Sequence, residues 1–220
     1  MSFPTKKYSC LLFDLDGTLI YSHEGIYHCF RYALSRMGRR EPTERELRKC
    51  IGPPLERSFA DVFAMSEAEA AQATAIYREE YARTGMFENA LVEGVNETLS
   101  ALKGAGYKLA VATSKAEVFA EAIVKRLGIR EYFDVFVGSG LDGRFCTKSA
   151  VVAEAVKRLG ARCANCLMIG DRKQDLDGAR ENGVDCLILR LGYAERGEFS
   201  KEKPDYFLDT FQDLVGLLLM

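Results

Sequence analysis

Short apolar runs recur along this chain, each four to six residues long and each closed by polar or glycine residues. They lie at 8–13, 107–112, 132–137, 166–169, 184–189 and 205–208. Runs of this length without polar alternation fit strands buried on both faces of a parallel sheet. Between them the apolar positions follow the helical period. Val95–Gly104 ends in a Gly-Ala-Gly breaker, Ala116–Leu127 ends at Gly128, Ser149–Leu159 at Gly160 and Lys173–Asn182 at Gly183. A glycine just past a helix readily takes the left-handed backbone that closes the last turn. Strand alternating with helix predicts the α/β class with a doubly wound parallel sheet.

One stretch breaks the alternation. From about Tyr21 to about Asn89 the pattern predicts helices only: Glu24–Met37, Glu44–Cys50, Leu55–Phe63 and Ser66–Arg83. Ser66 and Glu69 have the spacing of a capping box, and Pro42, Pro53 and Pro54 punctuate the segment. The organisation expected is a doubly wound α/β core at 1–20 and 90–220, with an inserted α-helical cap subdomain at 21–89.

Composition narrows the function classes. The 220 residues are 48% hydrophobic and 28% charged, which excludes a wholly disordered chain. Thirty basic against 32 acidic residues leave a net charge of −2, so neither nucleic acid nor an anionic membrane is expected as a partner. No apolar run approaches the roughly 20 residues that span a bilayer. Asp14 interrupts the first apolar cluster before it can read as a secretion signal, so a cytoplasmic location is expected. Seven cysteines suggest reduced thiols. Cys163 and Cys166 form a C-x-x-C without the second pair that zinc needs, and read as structural thiols. His23 and His28 read as surface or hinge residues of the insertion, and Leu214–Met220 as an apolar end that docks a terminal helix.

Ligand sites in doubly wound sheets lie beyond the carboxyl ends of the strands. Asp14, Asp16, Thr113, Asp171 and Asp175 all fall at such ends or just past them. In Asp14-Leu15-Asp16-Gly17-Thr18, two carboxylates two residues apart face the same way if the strand continues. Their like charges repel, and a hard divalent cation such as Mg²⁺ would remove the penalty. Asp171 and Asp175 supply a second acidic pair, although Asp175 reads equally as a helix cap. Thr113 and Ser114 would open a helix, either as an anion site or as a plain N-cap. Lys148 precedes the helix at 149–159, where the macrodipole disfavours a cation. A bound phosphate would explain it there; so would simple solvation.

Four ordered segments carry a resemblance that covers nearly the whole chain. Phe13-Asp14-Leu15-Asp16-Gly17-Thr18-Leu19, Thr113-Ser114-Lys115, Lys148 and Gly170-Asp171-Arg172-Lys173-Gln174-Asp175 resemble the four motifs of haloacid dehalogenase-superfamily phosphatases. The helical insertion after the first motif resembles the cap of the phosphoglycolate phosphatase-like branch. The resemblance implies that Asp14 is the nucleophile and forms an aspartyl-phosphate, with Asp16 as general acid and then base. It implies Mg²⁺ on the Asp14 carboxylate, the Asp16 main-chain carbonyl and Asp171, with Asp175 in or near the shell. Thr113, Ser114 and Lys148 would bind the phosphoryl oxygens, and Arg57 on the cap could touch substrate. Tyr21 stands where many relatives carry an acidic residue.

The expected activity is hydrolysis of a small phosphoglycolate-like phosphomonoester. A 5′-nucleotidase-type hydrolase and a sugar-phosphate mutase are alternatives on the same scaffold. A non-enzymatic phosphoaccepting receiver would have no use for Asp16 or a cap. Resembling mutases carry a histidine early in the first cap helix. The corresponding position here is Ile26, and His28 lies about 200° further round the helix.

Overall fold

The computed structural model describes residues 7–219. Residues 1–6 of the expected core and Met220 of the apolar end lie outside them. In chain order the strands are β1 (Cys10–Phe13), β2 (Ile20–Tyr21), β3 (Ala90–Leu91), β4 (Lys108–Ala116), β5 (Val135–Ser139), β6 (Cys166–Gly170), β7 (Asp185–Leu189) and β8 (Tyr206–Leu208). The helices are α1 (His23–Arg36), α2 (Glu44–Lys49), α3 (Leu55–Phe63), α4 (Glu67–Arg83), α5 (Val95–Gly104), α6 (Glu117–Arg126), α7 (Lys148–Arg158), α8 (Lys173–Glu181) and α9 (Asp213–Leu219). No helix among the described residues is long and apolar enough to cross a membrane.

The chain divides into two compact units. One is Ile20–Ala90, and the other joins the segment ending at Leu19 to the segment starting at Leu91. The second unit holds a six-stranded sheet in the order β5-β4-β1-β6-β7-β8, with every neighbouring pair parallel. The doubly wound expectation is therefore met. Central β1 pairs on both sides, Leu12 opposite Ala110 and Met168. A central strand has neither edge nor solvent-exposed face, which is why all four of its residues are buried and apolar. Leu12, Ala110, Met168 and Ile188 form a common core with Val151, Val152 and Ala155 of α7 and Leu176 and Ala179 of α8. The apolar C-terminal run is helical as α9. Leu214 is buried, and the Leu218 carbonyl accepts a 2.7 Å hydrogen bond from the Tyr107 hydroxyl.

The helical unit builds a core of its own. Phe30 of α1 lies 4.8 Å from Phe59 of α3 and 5.0 Å from Tyr77 of α4, ring centre to ring centre. Ser66 and Glu69 form the capping box at the start of α4, and Thr43 and Glu46 form a second one at α2 that the sequence reading did not mark. His28 is not at the unit's bare surface. Its ring nitrogens face Glu80 at 3.4 Å and Glu88 at 3.1 Å.

Several boundaries differ from expectation. The strand expected at 132–137 begins at Val135, because residues 130–132 close a tight 3₁₀ turn in which Phe133 donates its N–H to the Arg130 carbonyl. The short strands β2 and β3 pair at the borders of the helical segment, with Tyr21 its one residue in a strand. Two-residue strands leave no period to read in a sequence.

Phe30 is fully buried among aromatic partners. Phe30→Ala should cost the helical unit about 3–5 kcal/mol, the usual cost of such a cavity. The loss should show as a lower urea midpoint for the transition reported by that unit's tyrosines.

Candidate active site

The strand order fixes where a ligand can sit. The chain leaves β1 toward β4 on one side and leaves β6 toward β7 on the other. The carboxyl ends of β1 and β6 therefore flank the topological switch point, where diverging connections open a crevice. Asp14 directly follows β1 and donates its N–H to the Ile169 carbonyl at 2.9 Å, and Asp171 directly follows β6.

Asp14, Asp171 and Asp175 are all buried, and each places a carboxylate oxygen within 4.8 Å of the others. Lys148 enters from α7. Its Nζ lies 2.7 Å from Asp14 Oδ1 and 2.8 Å from Asp175 Oδ1, and donates to the Ala112 carbonyl at 3.2 Å. The contact with Asp175 is an ion pair. Lys148 is the first residue of α7 rather than the one before it, with Thr147 as the N-cap. The two carboxylates explain a cation at that helix start, where the macrodipole opposes it.

The charges shift one another. Burial works against the Lys148 ammonium, but Asp14 and Asp175 outweigh it and raise its pKa. Burial, then the charges of Asp175 and Asp14, raise Asp171 well above the ordinary carboxylate range. Burial also raises Asp175, against the pull of Lys148. The donor set fits a divalent cation. Asp171 Oδ2 accepts the Tyr193 N–H at 2.6 Å, while its Oδ1 is buried with no hydrogen-bond donor among the described residues. A buried carboxylate oxygen left unpaired is costly, and a hard cation with oxygen ligands would satisfy it. Gly17 lets the backbone pass against this carboxylate. It has φ +83°, and a Cβ there would collide with Asp171.

The Asp16 side chain is turned to a different partner. Its Oδ2 lies 3.1 Å from Lys115 Nζ, with both side chains mostly buried. Its Oδ1 has no hydrogen-bond donor among the described residues. Lys115 is a site residue to which the sequence reading gave no role. The available signal was its spacing, since a residue two beyond Thr113 shares its face on a strand.

Thr113 and Ser114 do not open a helix. Strand β4 continues through them to Ala116, which pairs with Ser139 after a register shift, and α6 starts only at Glu117. The buried Thr113 hydroxyl accepts the Lys115 N–H at 3.2 Å, a local bond that bends the strand end, and Ser114 beside it is half-buried. Arg57 belongs to the helical unit. It is exposed on α3 and pairs with Asp61 at 3.2 Å.

Comparison with known proteins decides the family. Residues 11–189 match the haloacid dehalogenase-like hydrolase family. This chain belongs to that family. It is 39% identical to a 5′-nucleotidase of Pseudomonas aeruginosa, over 91% of each chain. It is 37% identical to the tyrosine-protein kinase PtkA of Mycobacterium tuberculosis, over 90% of this chain and 67% of that one. A crystal structure of a predicted phosphatase from Clostridium acetobutylicum superposes with a TM-score of 0.92 at 36% identity, covering 96% of this chain and 98% of that chain. The expected enzyme class, a phosphoric monoester hydrolase, agrees with this family.

Buried acid charge has a stability consequence. Folded Asp171 holds its proton more tightly than unfolded Asp171, so stability falls as pH rises from the ordinary carboxylate value toward the raised one. Asp171→Asn removes that charge and keeps an oxygen for the Tyr193 N–H. In chelator at neutral pH the variant should melt above the parent, by about 2–4 °C per kcal/mol released. The gap should close in mild acid. Scanning calorimetry at the two pH values checks both signs.

Proposed function

We propose that this chain is a Mg²⁺-dependent phosphatase that hydrolyses a small phosphomonoester through an aspartyl-phosphate on Asp14. The observation that carries the reading is Asp14 itself, buried at the switch point, held by Lys148 at 2.7 Å and faced by Asp171 and Asp175. Mg²⁺ would be held by the carboxylates of Asp14, Asp171 and Asp175, with the Asp16 main-chain carbonyl as the resemblance implies. When bound, it offsets the repulsion between an anionic nucleophile and an anionic phosphate.

The chain's own residues divide the chemistry. The Asp14 carboxylate attacks phosphorus, the bond from phosphorus to the ester oxygen breaks, and Asp16 gives its proton to the departing alkoxide. Asp16, now a carboxylate, takes a proton from water as that water attacks phosphorus. The bond to Asp14 then breaks and inorganic phosphate leaves. Lys148 and Thr113 would steady the phosphoryl oxygens through this exchange.

A phosphoglycolate-like substrate follows from the branch resemblance. The 39% identity to a nucleotidase favours nucleoside 5′-monophosphates as a second reading. Water as acceptor is favoured over a sugar hydroxyl. Ile26, at the position where resembling mutases carry histidine, is buried and apolar, and His28 is held by Glu80 and Glu88.

Phosphate release should be measured from 2-phosphoglycolate, nucleoside 5′-monophosphates and β-glucose 1-phosphate. Activity should disappear in EDTA and return with Mg²⁺. Asp14→Asn should leave less than about a hundredth of the rate, since covalent catalysis contributes far more than that. Asp16→Ala should be comparably damaging. Full activity in chelator, or conversion of β-glucose 1-phosphate to glucose 6-phosphate faster than phosphate release, would overturn the reading.

A further inference from the structure

Residues 190–200, after β7, supply no group to the phosphoryl chemistry above, yet they are tied to the acidic cluster at two places. At the first, Tyr193 donates its N–H to Asp171 Oδ2 at 2.6 Å. Gly192 packs so closely there that a Cβ would collide with the Asp171 side chain. At the second, Glu198 Oε1 accepts the Lys173 N–H at 2.6 Å and Arg172 Nε at 3.0 Å. Its Oε2 accepts the Glu195 N–H at 2.8 Å. The side chains of Arg172 and Glu198 are 9% and 10% exposed, so this ion pair is mostly withdrawn from water.

Lys173 begins α8, where the first N–H groups have no acceptor within the helix and a carboxylate is favoured. Asp175 lies in the same turn, its Oδ2 taking the N–H groups of Asp171 and Arg172 at 3.1 and 3.0 Å. The turn thus holds two buried acids close together against their mutual repulsion. Arg172 and Lys173 are the cations between them in sequence, and the charge of Arg172 already bears on Asp171. Without Glu198, that guanidinium would be drawn to the carboxylates that the proposed cation needs.

We infer that Glu198 is a positioning residue for the metal centre, which fixes the start of α8 and keeps the Arg172 guanidinium out of the cluster of Asp14, Asp171 and Asp175. The inference rests on the metal-dependent reading above and extends it to a residue outside all four motifs. Its test is direct titration with Mn²⁺, without substrate, following free Mn²⁺ by electron paramagnetic resonance. Glu198→Ala should bind about 10-fold more weakly or worse, the usual loss when a group supporting metal ligands is removed. Glu198→Gln should lose less, because its amide oxygen still accepts the Lys173 N–H. The double variant Glu198→Ala with Arg172→Ala should recover part of the affinity. If Glu198→Ala does not fold, Glu198→Gln carries the comparison. Parental affinity in a folded Glu198→Ala or Glu198→Gln would overturn the inference, as would a lower melting temperature with unchanged affinity. A parent that binds no Mn²⁺ would overturn the metal reading and this inference with it.

Discussion

The core is organised around one buried ammonium that faces too many acids. Lys148 contacts Asp14 and Asp175 directly, and Asp171 stands in the same cluster with no cation in contact among the described residues. Taking charges out of water costs several kcal/mol each, and attraction offsets this only where geometry and hydrogen bonding are good. Here the offset is incomplete, as the raised Asp171 shows. The apolar packing of α7 and α8 on the sheet must carry the difference. Under the proposed reading, the uncompensated acid is also what would draw a divalent cation, so the same imbalance that weakens the fold would prepare the chemistry.

How much of this could be read from the chain depends on how local each feature is. Asp14 and Asp171 were legible because a buried strand running into an acidic turn is a local pattern. The helices at Leu55–Phe63 and Val95–Gly104 and the Ser66–Glu69 capping box were legible for the same reason. The extension of β4 to Ala116 was not. Thr113, Ser114 and Lys115 look like a helix start, yet they lie between Ala112 and Ala116, which pair with Val137 and Ser139 of β5. The partnership of Asp16 with Lys115 and the hold of Glu198 on Arg172 join segments far apart in sequence, so the partners could not be paired from the chain, even where spacing set Lys115 beside Thr113. The site thus divides into acids visible in the sequence and partners that only the fold brings to them.

The helical unit follows a different economy. Its interior is aromatic, and the buried Glu80 is met within it by His28 and, at 2.6 Å, by Arg83, while His28 also faces Glu88. Tyr21 and Arg57 are among its exposed residues.

The central place of β1 has a price in time. Its residues come first in the sheet, yet their partners are Lys108–Val111 on one side and Cys166–Ile169 on the other. During synthesis the Cys-Leu-Leu-Phe segment waits for the whole helical unit before β4 can pair with it, and for β5 and α7 as well before β6 closes its other side. Contacts this distant slow folding, and an apolar strand waiting for both neighbours is open to pairing with the wrong chain. An innermost strand that is made first therefore leaves one of its edges open until Cys166–Ile169 has been synthesised.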